Sequence, residues 1–306
     1  MPVKRKIIDW IPTFVGMTIV FLVFQYYVGQ RATTSSSVNT NKLKVTTSFY
    51  PLTYLAEQIG GDQVQVTTLT PPGAEPHDFE PSTRDVAELE NQDLILLNGG
   101  GLEGYGEKIR ANIDSKKTQL VFVGETLMTI PQDPHVWLDP VLYSKEANII
   151  AAAYIKKDPA HAALYTSNVK AIQKELSLLN DVFNKELIQC EQKTIITSHT
   201  AFAYLVKRYN LKQITLTGLS PEQEPSAKTL ADVAQFAKEN KLRYIFFEEL
   251  VSPSLADTIA KEVGAQMLVL SPLEGLTKES QLAKKTYITI QKENLNNLRI
   301  ALDCTP

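Results

Sequence analysis

The segment from residue 160 to residue 188 constrains the fold of this chain most, because it contains neither glycine nor proline. The dipeptide Asp158-Pro159 before it predicts a helix start with Asp158 as the N-cap. An unbroken helix of about 29 residues extends about 44 Å, so we expect it to join two units rather than lie inside one. The apolar residues at helical spacing along it are Leu164, Val169, Ile172, Leu176, Leu179, Val182 and Leu187.

Short β-rich runs alternate with amphipathic helical segments on both sides of this helix. The predicted strands are residues 43–49, 64–69, 93–97 and 120–123 before it, and residues 194–198, 213–216, 244–247 and 267–270 after it. The predicted helices are residues 52–59, 82–90 and 104–113 before it, and residues 201–209, 226–240, 253–263 and 289–303 after it. Such alternation is typical of parallel sheets covered by helices, so the predicted fold class is α/β, with two lobes on a helical spine.

Length and charge agree with this division and exclude one class of partner. A chain of 306 residues exceeds the size at which one hydrophobic core usually stops growing. The net charge of -3 offers no basic footprint for nucleic acid. The predicted segments are residues 1–42 as an N-terminal signal or anchor with a Ser/Thr-rich tether, 43–157 as the first lobe, 158–189 as the linking helix and 190–306 as the second lobe.

The N-terminal segment is typical of an exported protein. Basic residues at positions 4–6 precede an uncharged apolar stretch, residues 11–28, at the lower length limit for spanning a bilayer. No small-x-small cleavage site and no nearby cysteine for lipid attachment are evident. We therefore favour an uncleaved membrane anchor with its amino end in the cytoplasm over a cleaved signal peptide.

Only two cysteines are present, Cys190 and Cys304, which excludes a cysteine-based metal site. Outside the cytoplasm the two could form a disulfide, because Cys190 precedes a predicted strand and Cys304 ends the last predicted helix. Their distance in space cannot be read from the sequence, so both the free and the bonded state stay open.

Three of the four histidines lie in polar loops that follow predicted strands: His77, His135 and His199. Neutral imidazole is the commonest protein ligand for zinc and related metals. Glu274 occupies an equivalent place after the last predicted strand. Ligands in open α/β sheets bind beyond the carboxyl ends of the strands, so four such residues, two from each lobe, predict a metal site between the lobes.

Other residues compete with this interpretation. The fourth histidine, His161, lies in the first turn of the long helix and is interpreted as structural. Glu248 and Glu249 end a predicted strand and are alternatives to Glu274 as the acidic ligand. Trp137 could form an apolar lid over His135, and Asp139 could either orient an imidazole or cap the next helix.

Five motifs together resemble the zinc and manganese solute-binding proteins of ABC transporters. They are Pro-His-Asp-Phe-Glu-Pro-Ser from Pro76, Asp-Pro-His-Val-Trp-Leu-Asp-Pro from Asp133, Thr-Ser-His-Thr-Ala-Phe from Thr197, Leu-Ser-Pro-Glu-Gln-Glu-Pro-Ser from Leu219 and Phe-Phe-Glu-Glu from Phe246. The resemblance covers residues 43–303. It implies two (β/α)4 lobes joined by a rigid backbone helix, with a metal held in the cleft between them and passed to a membrane permease.

By position, the resemblance makes His77, His135 and His199 the three histidine ligands and Glu274 the fourth, acidic ligand. Ser226 is implied as the cap of the following helix. Two departures are informative: residues 124–134 replace the long histidine-rich loop of many zinc importers, and the usual lipid-anchor cysteine is missing. The second departure favours the transmembrane anchor.

Three imidazoles and one carboxylate suit four-coordinate Zn²⁺, whereas Mn²⁺ prefers more oxygen ligands and ranks second. The predicted function is an extracytoplasmic, high-affinity zinc-binding protein, monomeric and not an enzyme, that delivers the ion to an ABC permease. The alternatives are a manganese carrier, a surface adhesin or a zinc hydrolase, although a hydrolase would keep a coordination position open that Glu274 would fill.

Overall fold

Eight strands and ten α-helices follow one another in residues 42–305, the part of the chain that the computed structural model describes. The first half contains β1 (Leu43–Thr47), α1 (Tyr50–Gly60), β2 (Val64–Thr68), α2 (Thr83–Leu89), β3 (Leu94–Leu97), α3 (Gly106–Asn112), β4 (Gln119–Phe122) and α4 (Pro140–Lys157). Then comes the long helix α5 (Ala162–Leu187). The predicted anchor within residues 1–41 lies outside the described residues.

The second half repeats the alternation and ends on a helix. It contains β5 (Thr194–Thr197), α6 (Ala203–Arg208), β6 (Lys212–Thr215), α7 (Ala227–Glu239), β7 (Tyr244–Phe247), α8 (Ser254–Val263), β8 (Gln266–Val269), α9 (Lys278–Leu282) and α10 (Tyr287–Ala301). As predicted, Ser226 caps its helix, accepting a hydrogen bond from the backbone N–H of Thr229. No helix within residues 42–305 combines the length and the apolar character needed to cross a membrane.

All strand pairs in the described residues are parallel, which confirms the predicted α/β class. The first lobe has one sheet in the order β2-β1-β3-β4. The second lobe has the pairs β5-β6 and β7-β8, which meet where β5 contacts β7. Parallel strands place all their carboxyl ends on one edge, so each lobe presents its polar loops along a single rim.

The long helix α5 packs one apolar face against α1, α4 and α10. Two of the apolar residues at helical spacing do not lie on this face: Leu164 and Val182 are 38% and 42% exposed, and Tyr165 and Phe183 are fully buried instead. Leu164 lies five positions before Val169, which turns it about 140° away from the buried face, whereas Tyr165 lies four positions before it.

The start of the long helix also differs from the prediction. Residues 159–161 form a 3-10 turn, and Asp158 makes no N-cap hydrogen bond. Its carboxylate instead accepts hydrogen bonds from His161 Nδ1 and Tyr165 Oη, both at 2.6 Å. The α-helix is therefore 26 residues long, about 39 Å. His161 has the structural role expected of it.

Cys190 and Cys304 form a disulfide, which resolves the alternative that the sequence left open. The two residues follow the ends of α5 and α10, and their backbones also form an isolated antiparallel bridge. The bond thus fastens the chain's last residues to the base of the second lobe.

One buried carboxyl lacks any partner in the described structure. Glu146, on α4, has no exposed surface, and neither of its carboxylate oxygens accepts or donates a hydrogen bond. Burial raises the pKa of Glu146 to about 8. The folded protein therefore keeps this group protonated at neutral pH, while the unfolded chain loses the proton near its ordinary pKa.

This difference predicts a measurable pH dependence of stability. Below the unfolded pKa, Glu146 is protonated in both states and does not lower the free energy of unfolding. As pH rises from there toward the folded pKa, the free energy of unfolding falls by about 1.4 kcal/mol per pH unit. At pH 7 the loss is about 3 kcal/mol. Glu146→Gln should flatten the decline in unfolding free energy between pH 5 and pH 8, measured by urea denaturation.

The matched control is Glu175→Gln on α5, where the side chain is exposed to water. It should leave the pH dependence of the unfolding free energy unchanged. An equal slope in wild type and Glu146→Gln would contradict the assignment of a buried neutral carboxyl at this position.

Candidate metal centre

The structure brings together four potential ligand atoms, from His77, His135, His199 and Glu274. We refer to these residues as the His/Glu cluster. The Oε1 atom of Glu274 lies 3.1 Å from Nε2 of His135 and 3.5 Å from Nε2 of both His77 and His199. The Nε2 atoms of His77 and His135 are 3.3 Å apart. All four ligand atoms lie within 4.8 Å of one another.

These separations match those of a tetrahedral zinc shell. A tetrahedral Zn²⁺ ion with bonds of about 2.0 Å places its ligand atoms roughly 3.3 Å apart. The cluster is also buried: His135 and His199 have no exposed surface, Glu274 is 1% exposed and the side chain of His77 is 8% exposed. Unpaired nitrogen and carboxylate lone pairs in such a setting are costly unless a cation satisfies them. The donor set therefore fits a bound zinc ion.

The strands explain why residues so distant in sequence meet. His199 comes two residues after the end of β5, and Glu274 lies in the loop that follows β8. His77 and His135 lie in the loops that follow β2 and β4 in the other lobe. Each residue of the cluster thus lies beyond the carboxyl end of a parallel strand, and the cluster lies in the crevice between the two lobes.

Two of the imidazoles are held by buried carboxylates. Nδ1 of His135 bonds to Asp133 Oδ1 at 2.7 Å, and Nδ1 of His199 bonds to Glu248 Oε1 at 2.8 Å. A carboxylate on Nδ1 fixes the proton there and leaves the Nε2 lone pair free toward the centre of the cluster. Glu248 is thus bonded to the ring of a cluster histidine and is not one of the four grouped residues, and Glu249 is exposed to solvent.

The interpretation of Asp139 as a residue that orients an imidazole is wrong. Its carboxylate accepts hydrogen bonds from the backbone N–H groups of Val141 and Leu142, which makes it the N-cap of α4. It also pairs with Arg208. Trp137 is fully buried with its ring centroid 5.1 Å from that of His135, in keeping with the predicted apolar lid.

Asp133 and Glu75 were not predicted as part of the site, although a repeated tripeptide marks both. Each precedes proline and a cluster histidine, as Glu75-Pro-His77 and Asp133-Pro-His135. In both, the carboxylate accepts the backbone N–H of the histidine at 3.0 Å. The shorter aspartate also reaches the ring of its histidine, whereas within residues 42–305 no carboxylate bonds Nδ1 of His77.

Strong electrostatic coupling shapes the cluster. Burial would raise the pKa of Glu274, but the surrounding histidines hold it well below its usual range. Burial opposes protonation of His199, yet Glu248 and Glu274 raise its pKa well above the usual value. Burial, together with the charge of Glu274, raises the pKa of Glu75 to about 9. Glu274 and His199 therefore stabilise each other's charged forms, and Glu75 is held neutral.

Comparison with known proteins agrees with this geometry. A family model described as the periplasmic component A of the zinc-uptake complex matches residues 45–301. The chain belongs to this family. The predicted resemblance to the zinc solute-binding proteins of metal ABC transporters is confirmed. The family is a metal-binding transport component that acts outside the cytoplasm.

Individual relatives of the family cover most of the chain. The high-affinity zinc uptake system protein ZnuA of Bacillus subtilis is 39% identical over 282 residues, 86% of this chain and 88% of the relative. The zinc-binding lipoprotein AdcA of Streptococcus pneumoniae is 34% identical over 281 residues, but the match spans only 56% of that longer protein.

The fold is confirmed by a solved structure. The Zn(II)-bound ZnuA-like domain of Streptococcus pneumoniae AdcA superposes with a TM-score of 0.78 at 36% sequence identity. The superposition covers 86% of this chain and 100% of that domain. The two-lobed arrangement around a long helix is thus shared with a zinc-bound member of the family.

Proposed function

We propose that this chain captures Zn²⁺ outside the cytoplasm through the His/Glu cluster and delivers the ion to the permease of an ABC importer. The observation that carries the proposal is the spacing of 3.1–3.5 Å between Glu274 Oε1 and the three Nε2 atoms. That spacing suits an ion with short bonds and four ligands. Membership of the zinc-uptake family supports the same cargo.

Zinc is favoured over manganese by the donor atoms themselves. Three nitrogens and one carboxylate, held close together in a buried cavity, suit Zn²⁺, while Mn²⁺ prefers oxygen ligands and a larger coordination number. The affinity order of divalent metals for nitrogen and oxygen sites also places zinc far above manganese.

A transport role is favoured over zinc-dependent hydrolysis. Catalytic zinc sites have three protein ligands and keep the fourth position for water. Here Glu274 supplies the fourth ligand atom from within the cavity, and it is 1% exposed. The proposed site is therefore closed around its ion, as suits a carrier that holds zinc tightly and hands it on.

The remaining features of the proposal concern location and assembly. We propose that residues 11–28 anchor the chain in the cell membrane and that residues 43–157, 158–189 and 190–306 act as two lobes on a linking helix. A single copy is sufficient in this proposal, because all four ligands come from one chain.

The proposal is tested by metal analysis and competition. The purified protein should retain about one Zn²⁺ per chain after dialysis, and excess Mn²⁺ should fail to displace it. Delivery of zinc to the permease is tested in cells that lack their own zinc-binding protein. Expression of this chain should restore their growth in zinc-poor medium. Absence of bound zinc, or ready displacement by Mn²⁺, would overturn the proposed cargo.

A further inference from the structure

Helix α6 lies between two loops of the His/Glu cluster and is bonded to one of them at two places. The hydroxyl of Tyr204 accepts hydrogen bonds from the backbone N–H groups of Thr129 and Ile130, both at 3.1 Å. The same hydroxyl donates to the backbone carbonyl of Asp133 at 3.2 Å. A single side chain from the second lobe thus closes the loop that carries His135 in the first.

The second bond lies one helical turn further along α6. The guanidinium of Arg208 donates through Nε to Asp139 Oδ1 at 2.9 Å and through Nη2 to Asp139 Oδ2 at 2.7 Å. Bidentate arginine–carboxylate pairs fix the relative orientation of the two side chains in addition to pairing their charges. Because Asp139 also caps α4, the segment from residue 129 to residue 139 is held by α6 at both ends, with His135 between them.

The other end of α6 is tied to a second ligand. The helix begins at Ala203, four residues after His199, and two of the three intervening residues, Ala201 and Phe202, have no exposed surface. A short connector packed in the core has little freedom to change length. The helix therefore sets the position of the loop of His135 relative to His199.

The bonds of Tyr204 lie in an apolar setting. Tyr204 is 2% exposed and packs with Val136 and Leu142 in a separate small core beside the cluster. Removal of the hydroxyl takes the acceptor from two backbone N–H groups and the donor from the carbonyl of Asp133. Asp133, whose carbonyl accepts from Tyr204, is the residue whose carboxylate orients the ring of His135.

We propose that Tyr204 is a positioning residue for metal binding: it places Asp133, and through it the ring of His135, at the distance from His199 that zinc requires. Arg208 supports this placement from the other end of the loop. The inference rests on the proposed zinc-binding function and adds a part to it that touches no metal ligand directly.

The test compares Tyr204→Phe with Tyr209→Phe in the full-length protein. Tyr209 is similarly buried and directly follows the same helix, but its hydroxyl bonds to Asn180 and not to the loop of His135. Tyr204→Phe should weaken zinc binding by about 10-fold, the low end of the range for partners that orient metal ligands. It should also change the visible absorption spectrum of the Co²⁺-loaded protein, while Tyr209→Phe should do neither.

A double-mutant cycle separates positioning from general stability. In an Asp133→Ala background, Tyr204→Phe should have almost no further effect on zinc affinity, because the side chain through which it orients the ring of His135 is already absent. Additive losses would overturn the proposal, as would an unchanged cobalt spectrum in Tyr204→Phe. If Tyr204→Phe fails to fold, Arg208→Lys decides: unchanged zinc affinity there would also overturn it.

Failure of the inference can be told apart from failure of the proposed function. If the wild-type protein binds no zinc, the function itself is wrong, and the inference that rests on it falls with it. If wild type binds one ion and Tyr204→Phe binds it equally well, only the role of Tyr204 is wrong.

Discussion

Replacing Glu274 with alanine should weaken zinc binding by more than about 100-fold, beyond the usual effect of losing a residue that merely orients a ligand. Glu274 is the one ligand of the proposed set that carries a negative charge, and its Oε1 atom lies within 3.5 Å of all three histidine Nε2 atoms. Its removal would leave three neutral imidazoles and an open position that water would fill. Competition with a chelator of known zinc affinity would measure the change.

Two neighbouring glutamates provide matched controls for this experiment. Glu249→Ala removes an exposed carboxylate from the loop that follows β7 and should leave zinc affinity unchanged. Glu248→Ala removes the carboxylate that holds Nδ1 of His199 and should cost about 10- to 100-fold. Wild-type affinity in Glu274→Ala, combined with a complete loss in Glu248→Ala, would transfer the role of acidic ligand to Glu248.

The Glu274 variant would also change the kind of chemistry that the site supports. A zinc site of three histidines and a bound water is the arrangement of zinc hydrolases, whereas a fourth protein ligand suits storage and transfer. A gain of slow ester hydrolysis in Glu274→Ala, absent from wild type, would therefore agree with the carrier interpretation. Hydrolysis by the wild-type protein would contradict it.

The architecture was accessible from the sequence because it rests on local patterns. Strand β7 begins and ends at the residues predicted for it, Tyr244 and Phe247, since a short run of aromatic and β-branched residues between polar ones is typical of a buried strand. The four cluster residues were accessible for a related reason. Parallel strands bring all their carboxyl ends to one rim, so residues that follow strands meet there without any knowledge of exact contacts.

Features that depend on contacts between distant segments were not accessible. The bonds from Tyr204 to residues 129–133 join positions more than 70 residues apart, and nothing in the local sequence marks them. The short helix α9 was missed because its five residues carry too little periodic signal. Glutamate side chains are mostly exposed, so the sequence pattern alone predicts Glu146 at the surface. In the structure it is fully buried.

The role of Asp139 could not be chosen from the sequence alone. Both capping and imidazole orientation are chemically reasonable for an aspartate four residues after a ligand and directly before proline. The contacts decide between the two roles. Asp133 already accepts a hydrogen bond from Nδ1 of His135 at 2.7 Å, and Arg208 of the other lobe forms an ion pair with Asp139. Competition among several polar groups for one nitrogen is a three-dimensional property.

Loss of the disulfide should have the largest effect on stability of any change considered. Cys190 and Cys304 are separated by 114 positions, so the bond closes most of the second lobe into one loop. In the chain-entropy model a loop of this length stabilises the folded state by about 4 to 5 kcal/mol, because it restricts the unfolded chain. The double variant Cys190→Ser/Cys304→Ser should lose that amount of unfolding free energy in guanidinium denaturation.

Reductant provides the matched control, because it removes the bond without changing any residue. Wild type in dithiothreitol should unfold at the same denaturant concentration as the double variant, and the variant itself should be insensitive to reductant. Bound zinc should raise the midpoint denaturant concentration of both reduced wild type and the double variant by mass action. The reason is that the cysteines take no part in the His/Glu cluster. An unchanged transition in the double variant would mean that the unfolded chain is already compact enough for the cross-link to remove little entropy.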